Sequence, residues 1–207
     1  MKRKPMLLKR LSISTSHKDK KTIGLVGINH GVGVTYTGML LANYFGSEKR
    51  IKTAYLECSN HNDLSLLQEA YEWSKEDDNS FSLDRITFYK GVSNNRIPEI
   101  LSDDYGCCIL DFGTDYTDYM DEFIRCGNKI IIGGNAIWNQ SRMVSFLKAM
   151  EDVKGSENWI HMIPYAKSGL LRRLSNKTHR SFIGIPYEPN LTSLSKETYK
   201  LFHNLFG

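Results

Sequence analysis

The chain lacks any long apolar run. Within its 207 residues no stretch approaches the roughly 18 apolar residues of a membrane-spanning helix, so we predict a body that does not cross a membrane. The start is basic, but its apolar residues 6–8 are too few for a signal peptide, and secretion is not expected. With 41% apolar residues, the composition favours one globular domain with a full core, located in the cytoplasm.

Cysteine is also scarce, and its spacing excludes a familiar kind of metal site. The four cysteines stand at positions 58, 107, 108 and 126, without the paired spacing of zinc ligands. Cys107 and Cys108 lie in an apolar run, which favours free thiols in a core within a reducing compartment.

Basic residues are concentrated at the start of the chain. Residues 1–21 carry a net charge of +7, which leaves −3 for the remainder of a chain whose total is +4. This arm is predicted to be flexible, and three interpretations are open. It is a solvated tail, it contacts an anionic membrane surface, or it binds nucleic acid without sequence preference, which we rank behind the others.

Short apolar runs alternate with segments of helical spacing. Runs of this kind are typical of strands buried on both faces, and strand–helix alternation implies a parallel sheet. We therefore predict an α/β domain over residues 22–207, with three layers and a mostly parallel central sheet flanked by helices. The predicted strands cover residues 23–28, 54–56, 86–88, 107–110, 130–132 and 160–163, and helices are predicted over 37–45, 64–70 and 137–153.

Residues 23–36, IGLVGINHGVGVTY, combine an apolar run, a glycine-rich loop and the start of a predicted helix. In that geometry, free backbone N–H groups and a helix N-terminus hold phosphate. The usual motif, GxxxxGK[ST], adds a lysine for the β- and γ-phosphates and a hydroxyl for Mg²⁺. Thr35 supplies the hydroxyl, but Val34 stands at the lysine position, so the loop lacks its main positive charge.

The loop resembles the deviant Walker A motif, GKGGVGKTT, of the MinD/ParA class of P-loop ATPases. Residues 31–33 and Thr35 match, whereas Asn29 replaces the signature lysine and Val34 replaces the P-loop lysine. Later segments extend the resemblance over roughly residues 22–205. They are residues 54–64, which resemble the second strand of the class, residues 105–113, which resemble the Walker B strand, and residues 129–136, which resemble the next strand.

The resemblance implies where a nucleotide site would lie. Glu57 stands at the position of the water-activating aspartate of the class, Ser59 at the next aspartate, and Asp111 at the metal-directed carboxylate. The implied ligand is ATP or ADP with Mg²⁺, and Thr35 and Asp111 would be the metal ligands. The implied nucleotide-binding residues are Asn29, His30, Gly31, Val32, Gly33, Val34, Thr35 and Tyr36.

Fast catalysis is not expected from this residue set. Phosphoryl transfer depends on positioning and electrostatic stabilisation, so the loss of both lysines is severe. Glu57 is one methylene longer than aspartate at a position where about 1 Å matters, and we treat it as vestigial. Thr35 and Asp111 also have a structural interpretation, as an early helix residue and a carboxylate that caps a turn. We expect nucleotide to bind weakly or not at all.

Two substituted loop residues and two arginines each have alternative interpretations. His30 either donates a hydrogen bond to a phosphate or fills a pocket that no longer binds nucleotide. Tyr36 either stacks on a base or, together with His30, fills that pocket. Arg172 and Arg173 either return positive charge to the pocket or lie on a solvated helix face.

Three further regions have predictions of their own. His161 and Tyr165 stand nearest the position where the class has an adenine-contacting asparagine, which weakens the case for standard adenine recognition. Residues 73–82 are polar and predict a loop, where the class has dimer contacts. Residues 196–207 predict a final helix that packs in the core or resembles the membrane-anchoring tail of MinD proteins. Its apolar face would be Leu194, Thr198, Leu201, Phe202 and Leu205.

The sequence therefore predicts a degenerate MinD/ParA-like pseudo-ATPase that acts through protein partners. Its loop resembles the atypical Walker A loops of the TadZ/CpaE group, which implies a localisation or assembly scaffold for Tad-type pilus or secretion machinery. A homodimer and peripheral contact with the inner face of the cell membrane are consistent with this interpretation. The alternatives are a nucleotide-binding switch with slow or no hydrolysis and a nucleic-acid-binding module that uses the basic arm.

Overall fold

The structure, a computed structural model, describes residues 20–59, 61–71, 79–114 and 116–207. The basic arm thus lies outside the described residues except for its last two positions. The Lys20 ammonium donates hydrogen bonds to the carbonyl oxygens of Leu101 and Asp103, and Lys21 opens the first strand. The proposed contacts of the arm with membrane or nucleic acid remain predictions.

Eight strands and seven α-helices alternate through the described residues. The strands are β1 (Lys21–Gly27), β2 (Thr53–Glu57), β3 (Ser80–Leu83), β4 (Ile86–Tyr89), β5 (Cys107–Asp111), β6 (Asn128–Ile132), β7 (Ile160–Pro164) and β8 (Phe182–Ile185). The helices are α1 (Val34–Asn43), α2 (Asp63–Ala70), α3 (Ile97–Ser102), α4 (Met120–Arg125), α5 (Ile137–Ala149), α6 (Ser168–Thr178) and α7 (Lys196–Phe206). A π-helical turn, Tyr44–Glu48, extends α1, and a 3₁₀ turn, Ser156–Asn158, precedes β7.

The strands form one sheet in the order β3-β4-β2-β5-β1-β6-β7-β8. Every pair is parallel except β3 with β4, which are antiparallel. The predicted α/β fold with a mostly parallel sheet is therefore confirmed. Of the loop predicted over residues 73–82, residues 73–78 lie outside the described residues. The end of the prediction is wrong, because Ser80–Leu83 forms the edge strand β3, whose Ser–Phe–Ser–Leu pattern is too short to stand out. The sequence reasoning also missed β8.

Alternate residues of each strand pack into separate cores on the two faces of the sheet. In β5, Cys107 and Ile109 join the core under α1 and α7, whereas Cys108 and Leu110 join the core under α3 to α6. Burial on both faces explains why these strands read as continuous apolar runs. The parallel order places the carboxyl ends of β1, β2, β5 and β6 side by side at one edge of the sheet.

The final helix is part of this core. Thr198, Phe202 and Phe206 of α7 are buried, and the Phe202 ring lies 5.8 Å from that of Tyr44. The core-packing interpretation of residues 196–207 is therefore the correct one. Across the part of the chain that the structure describes, no helix combines the length and apolarity needed to cross a membrane.

Candidate functional site

The loop between β1 and α1 has the shape of a phosphate cradle. Gly31 and Gly33 adopt φ angles of 73° and 94°, a left-handed region that residues with side chains rarely enter. Gly33 caps α1, which begins at Val34, and no side chain accepts a hydrogen bond from the first turn. The N–H groups of that turn are therefore available to an anion.

All eight residues predicted to bind nucleotide line one pocket of about 270 Å³ at the carboxyl edge of the sheet. Their convergence follows from the tight β1–α1 connection. Four residues that sequence reasoning did not select complete the wall. They are His61, Asp63, Gly113 and Thr114.

Three acidic side chains cluster beside the pocket, and of these Asp63 lines it, whereas Glu57 and Asp111 are buried behind it. Glu57 ends β2 and Asp111 ends β5, and the two are register partners on adjacent parallel strands. Thr35 Oγ1 lies 2.9 Å from Asp111 Oδ2 and 3.0 Å from Oδ2 of Asp63, the first residue of α2. The predicted pairing of Thr35 with Asp111 is therefore present, but a second carboxylate shares the hydroxyl.

Asp111 is fully buried and engaged on both oxygens. Tyr55 donates to Oδ2 over 2.7 Å, and the Gly113 N–H donates to Oδ1 over 2.9 Å. Burial raises the pKa of Asp111, although the hydrogen bonds from Tyr55, Gly113 and Thr35 oppose that rise. Asp111 therefore caps the turn after β5 and also directs an oxygen towards Thr35. The structural interpretation of Asp111 and its interpretation as a metal ligand are thus compatible with each other.

Glu57 is bound to the protein backbone. Its Oε1 accepts a hydrogen bond of 3.0 Å from the N–H of Leu64, in the first turn of α2, and the residue is 1% exposed. Burial raises its pKa, and the hydrogen bond from Leu64 opposes the rise. A carboxylate at a helix N-terminus stabilises the helix through its dipole, so Glu57 has a structural task here. Ser59, at the second aspartate position, is buried beside Gly113.

The two lysine positions hold no cation. Val34 is 8% exposed and packs onto the end of β1 at Gly27. Asn29 donates from Nδ2 to the carbonyl oxygen of His30 over 2.9 Å, and its buried Oδ1 has no hydrogen-bond partner among the described residues. None of the twelve described residues that line the pocket is lysine or arginine.

The proposed replacement of this charge by arginine is wrong in the structure. Arg172 and Arg173 lie on the exposed surface of α6, and neither lines the pocket. Both arginines follow β7, which ends at the edge of the sheet that carries the pocket, and this position suggested that they lie near the pocket. The helix turns both side chains to solvent, so the interpretation as a solvated helix face holds.

The histidines and tyrosines of the predicted site separate in the structure. His30 is exposed at the pocket mouth, with Nε2 3.3 Å from Thr114 Oγ1 and its ring 4.9 Å from that of His61. The ring of Tyr36 lies 5.2 Å from the ring of Tyr165, which follows β7 at the same edge of the sheet. His161 is buried near the opposite end of β7, so of these two residues Tyr165 is the one at the edge that carries the pocket.

The hydroxyl of Tyr36 is fully engaged. It accepts a hydrogen bond of 2.7 Å from the N–H of Glu188 and donates to the carbonyl oxygen of Pro186 over 3.3 Å. These two hydrogen bonds hold the segment after β8 against α1, and we call them the clamp. Such contacts between residues about 150 positions apart leave no sequence signal.

Solved structures with similar folds include plasmid partition proteins and MinD cell division proteins. A plasmid partition protein from Borrelia burgdorferi bound to AMPPNP superposes with a TM-score of 0.63 at 13% identity, over 90% of this chain and 96% of that chain. The MinC:MinD cell division complex of Aquifex aeolicus gives 0.58 at 14% identity, over 82% of each chain. MinD of Pyrococcus horikoshii complexed with Mg-ADP gives 0.57 at 14% identity, over 82% of each chain.

At the level of sequence, no protein-family model and no curated protein matches the chain. Identities of 13–14% establish the architecture alone. The strand order, the glycine loop and the acidic strand ends agree with the resemblance found in the sequence. The chain therefore has the fold of the ParA/MinD P-loop ATPases.

Proposed function

We propose that the chain is a pseudo-ATPase with a ParA/MinD fold, which serves as a localisation or assembly scaffold through protein partners. One observation carries the proposal. The pocket that would hold polyphosphate is lined by no lysine or arginine among its described residues, and its one acidic lining residue is Asp63.

The magnitude of this loss is large. Each charge-assisted contact to a phosphate contributes about 1.5–3 kcal/mol, so the absence of two lysines weakens binding on the order of 10²–10⁴-fold. The effect on phosphoryl transfer is greater, because positive charge acts most strongly where negative charge develops in the transition state. Glu57, which is tied to the N-terminus of α2, adds no free base to offset the loss.

Exposed apolar side chains surround the same edge of the sheet and support partner binding. Ile137 and Trp138 open α5 with exposures of 75% and 66%, and Tyr187, after β8, is 69% exposed. Large exposed aromatic residues are typical of protein interfaces. The similar MinD fold of Aquifex aeolicus is found in a complex with MinC. We propose that this edge binds a protein partner or a second copy, with Tad-type pilus or secretion machinery at the inner membrane as the partner class.

Calorimetry with ATP and ADP, with and without Mg²⁺, tests the pocket, and a phosphate-release assay tests hydrolysis. We expect no hydrolysis above the buffer rate and no binding tighter than millimolar. Fast turnover by the native chain would refute the proposal. A two-hybrid screen against Tad-type components tests the partner class. We expect Trp138→Ala to abolish any interaction that the screen finds. Trp159→Ala, which removes a buried side chain, is included to show what misfolding does to the signal.

A second function has one contact in its favour. Thr35 and Asp111, which we propose as the metal ligands, lie within 2.9 Å of each other, and similar solved structures hold AMPPNP or Mg-ADP. A nucleotide switch with slow hydrolysis would bind Mg²⁺-nucleotide at micromolar concentration and dimerise with it. Both properties would disappear in Thr35→Ala and Asp111→Ala.

A further inference from the structure

Asp63 occupies a distinctive place between the pocket and helix α2. It is the first residue of α2, and its Oδ2 lies 3.0 Å from the hydroxyl oxygen of Thr35. The same hydroxyl lies 2.9 Å from Asp111 Oδ2. One hydroxyl proton cannot satisfy two carboxylates at once, so Asp63 and Asp111 compete for Thr35.

Asp63 opposes nucleotide binding in two ways. It engages the hydroxyl that a nucleotide-bound Mg²⁺ would coordinate, and it adds a negative charge to a pocket wall that has no lysine or arginine among its described residues. Like charges at close range repel most strongly where solvent is partly excluded.

Asp63 also joins the pocket to a neighbouring groove. Thr35, Tyr36 and Asp63 line both the pocket and an apolar groove of about 390 Å³ between α1 and α2. The groove wall is completed by Met39, Leu66, Leu67, Ala70 and Leu191. The Thr35–Asp63 contact therefore lies where the two cavities meet, and it tethers the start of α2 to the start of α1.

We propose that Asp63 is a positioning residue, a latch that holds the Thr35 hydroxyl away from a nucleotide-bound cation and couples α2 to the state of the pocket. This inference rests on the proposed function in that the pocket is taken as the place where nucleotide would bind. The latch gives this chain a reason for weak nucleotide binding beyond the two missing lysines. Removing the latch should therefore restore part of the affinity.

The test is calorimetric titration of Mg²⁺-ATP into the full chain and into Asp63→Asn, which keeps the shape and loses the charge. Asp152→Asn is the matched control, because it removes one exposed carboxylate from the turn after α5. We expect Asp63→Asn to bind on the order of tenfold more tightly than the native chain, and the control to bind as the native chain does. Asp63→Ala, with thermal unfolding to verify the fold, serves as the second variant.

Two further titrations separate a latch from simple repulsion. In EDTA the gain of Asp63→Asn should shrink, since no cation competes for Thr35, whereas pure repulsion would keep or enlarge it, because ATP without Mg²⁺ carries more negative charge. In a Thr35→Val background the gain should also shrink, because a double-mutant cycle removes the shared contact. Equal gains under all conditions would overturn the latch.

Other outcomes also overturn the inference. Weaker Mg²⁺-ATP binding by Asp63→Asn would make Asp63 a cation ligand, and no detectable binding by either Asp63 variant would show that the latch does not control affinity. The proposed function would be refuted by a different result, namely rapid ATP hydrolysis by the native chain.

Discussion

Replacing Tyr36 with phenylalanine distinguishes a side chain that serves the fold from one that serves a nucleotide. The substitution removes one hydroxyl and keeps the ring that contacts Tyr165. That hydroxyl accepts the N–H of Glu188 over 2.7 Å and donates to Pro186 over 3.3 Å. If Tyr36 serves as a clamp, the variant should lose stability and keep its ligand-binding behaviour.

The structure sets the size of the loss. Glu188 is 6% exposed, and its side chain accepts hydrogen bonds from Ser195 and Thr198 at the start of α7. An unsatisfied buried N–H costs about 1–3 kcal/mol, and the 3.3 Å bond is near the geometric limit and adds little. We expect a decrease in unfolding free energy of about 2 kcal/mol, which corresponds to about 4–8 °C in the melting temperature of a chain of this size.

Urea and thermal unfolding measure this loss, with Tyr187→Phe as the control. Tyr187 lies in the same segment after β8 and is 69% exposed, so loss of its hydroxyl should leave the midpoint unchanged. An unchanged midpoint in Tyr36→Phe, or an equal decrease in both variants, would refute the clamp.

Three further predictions concern the pocket, the buried carboxylate of Glu57 and the thiols of the core. Val34→Lys should tighten ATP binding about tenfold by restoring one charged contact, whereas the uncharged Val34→Met should leave the affinity unchanged. Calorimetry measures both affinities, and equal values would contradict the charge argument. Burial raises the pKa of Glu57, so its ionised form costs stability at high pH. Because desolvation of the buried carboxylate outweighs the hydrogen bond from Leu64, Glu57→Gln should raise the unfolding free energy at pH 7, and the gain should vanish below the usual pKa of glutamate. Urea unfolding across pH measures this gain, with Glu69→Gln at an exposed position as the control, and an equal gain in both variants would contradict the prediction. Cys58, Cys107, Cys108 and Cys126 are buried, and burial raises the pKa of all four thiols. Mass spectrometry should therefore find the four thiols alkylated only after unfolding, and rapid labelling of the native chain would contradict their burial.

Local patterns predicted the parts of this protein that depend on local physics. Continuous apolar runs indicated strands buried on both faces, and the glycine-rich stretch indicated a phosphate-binding loop, in which Gly31 and Gly33 adopt positive φ angles. Thr35, Glu57 and Asp111 each end or follow a strand, and since parallel strands end at a common edge, the three lie close together. Strand β3 escaped prediction because four residues at a sheet edge carry too little periodicity.

Tertiary structure decided which side chains reach the pocket and what holds them. Asp63 reaches Thr35 because α2 starts where the backbone after β2 turns back, whereas Arg172 and Arg173 face solvent on α6. Tyr36 is bound to residues about 150 positions away, and Glu57 is bound to a helix N–H rather than left free. By itself, the sequence determined the alternation of strands and helices, the loop and the absence of both lysines, since these depend on the propensity, burial and charge of neighbouring residues. The pairing of hydroxyls with carboxylates depends on angles between packed elements, and only the folded chain sets those angles.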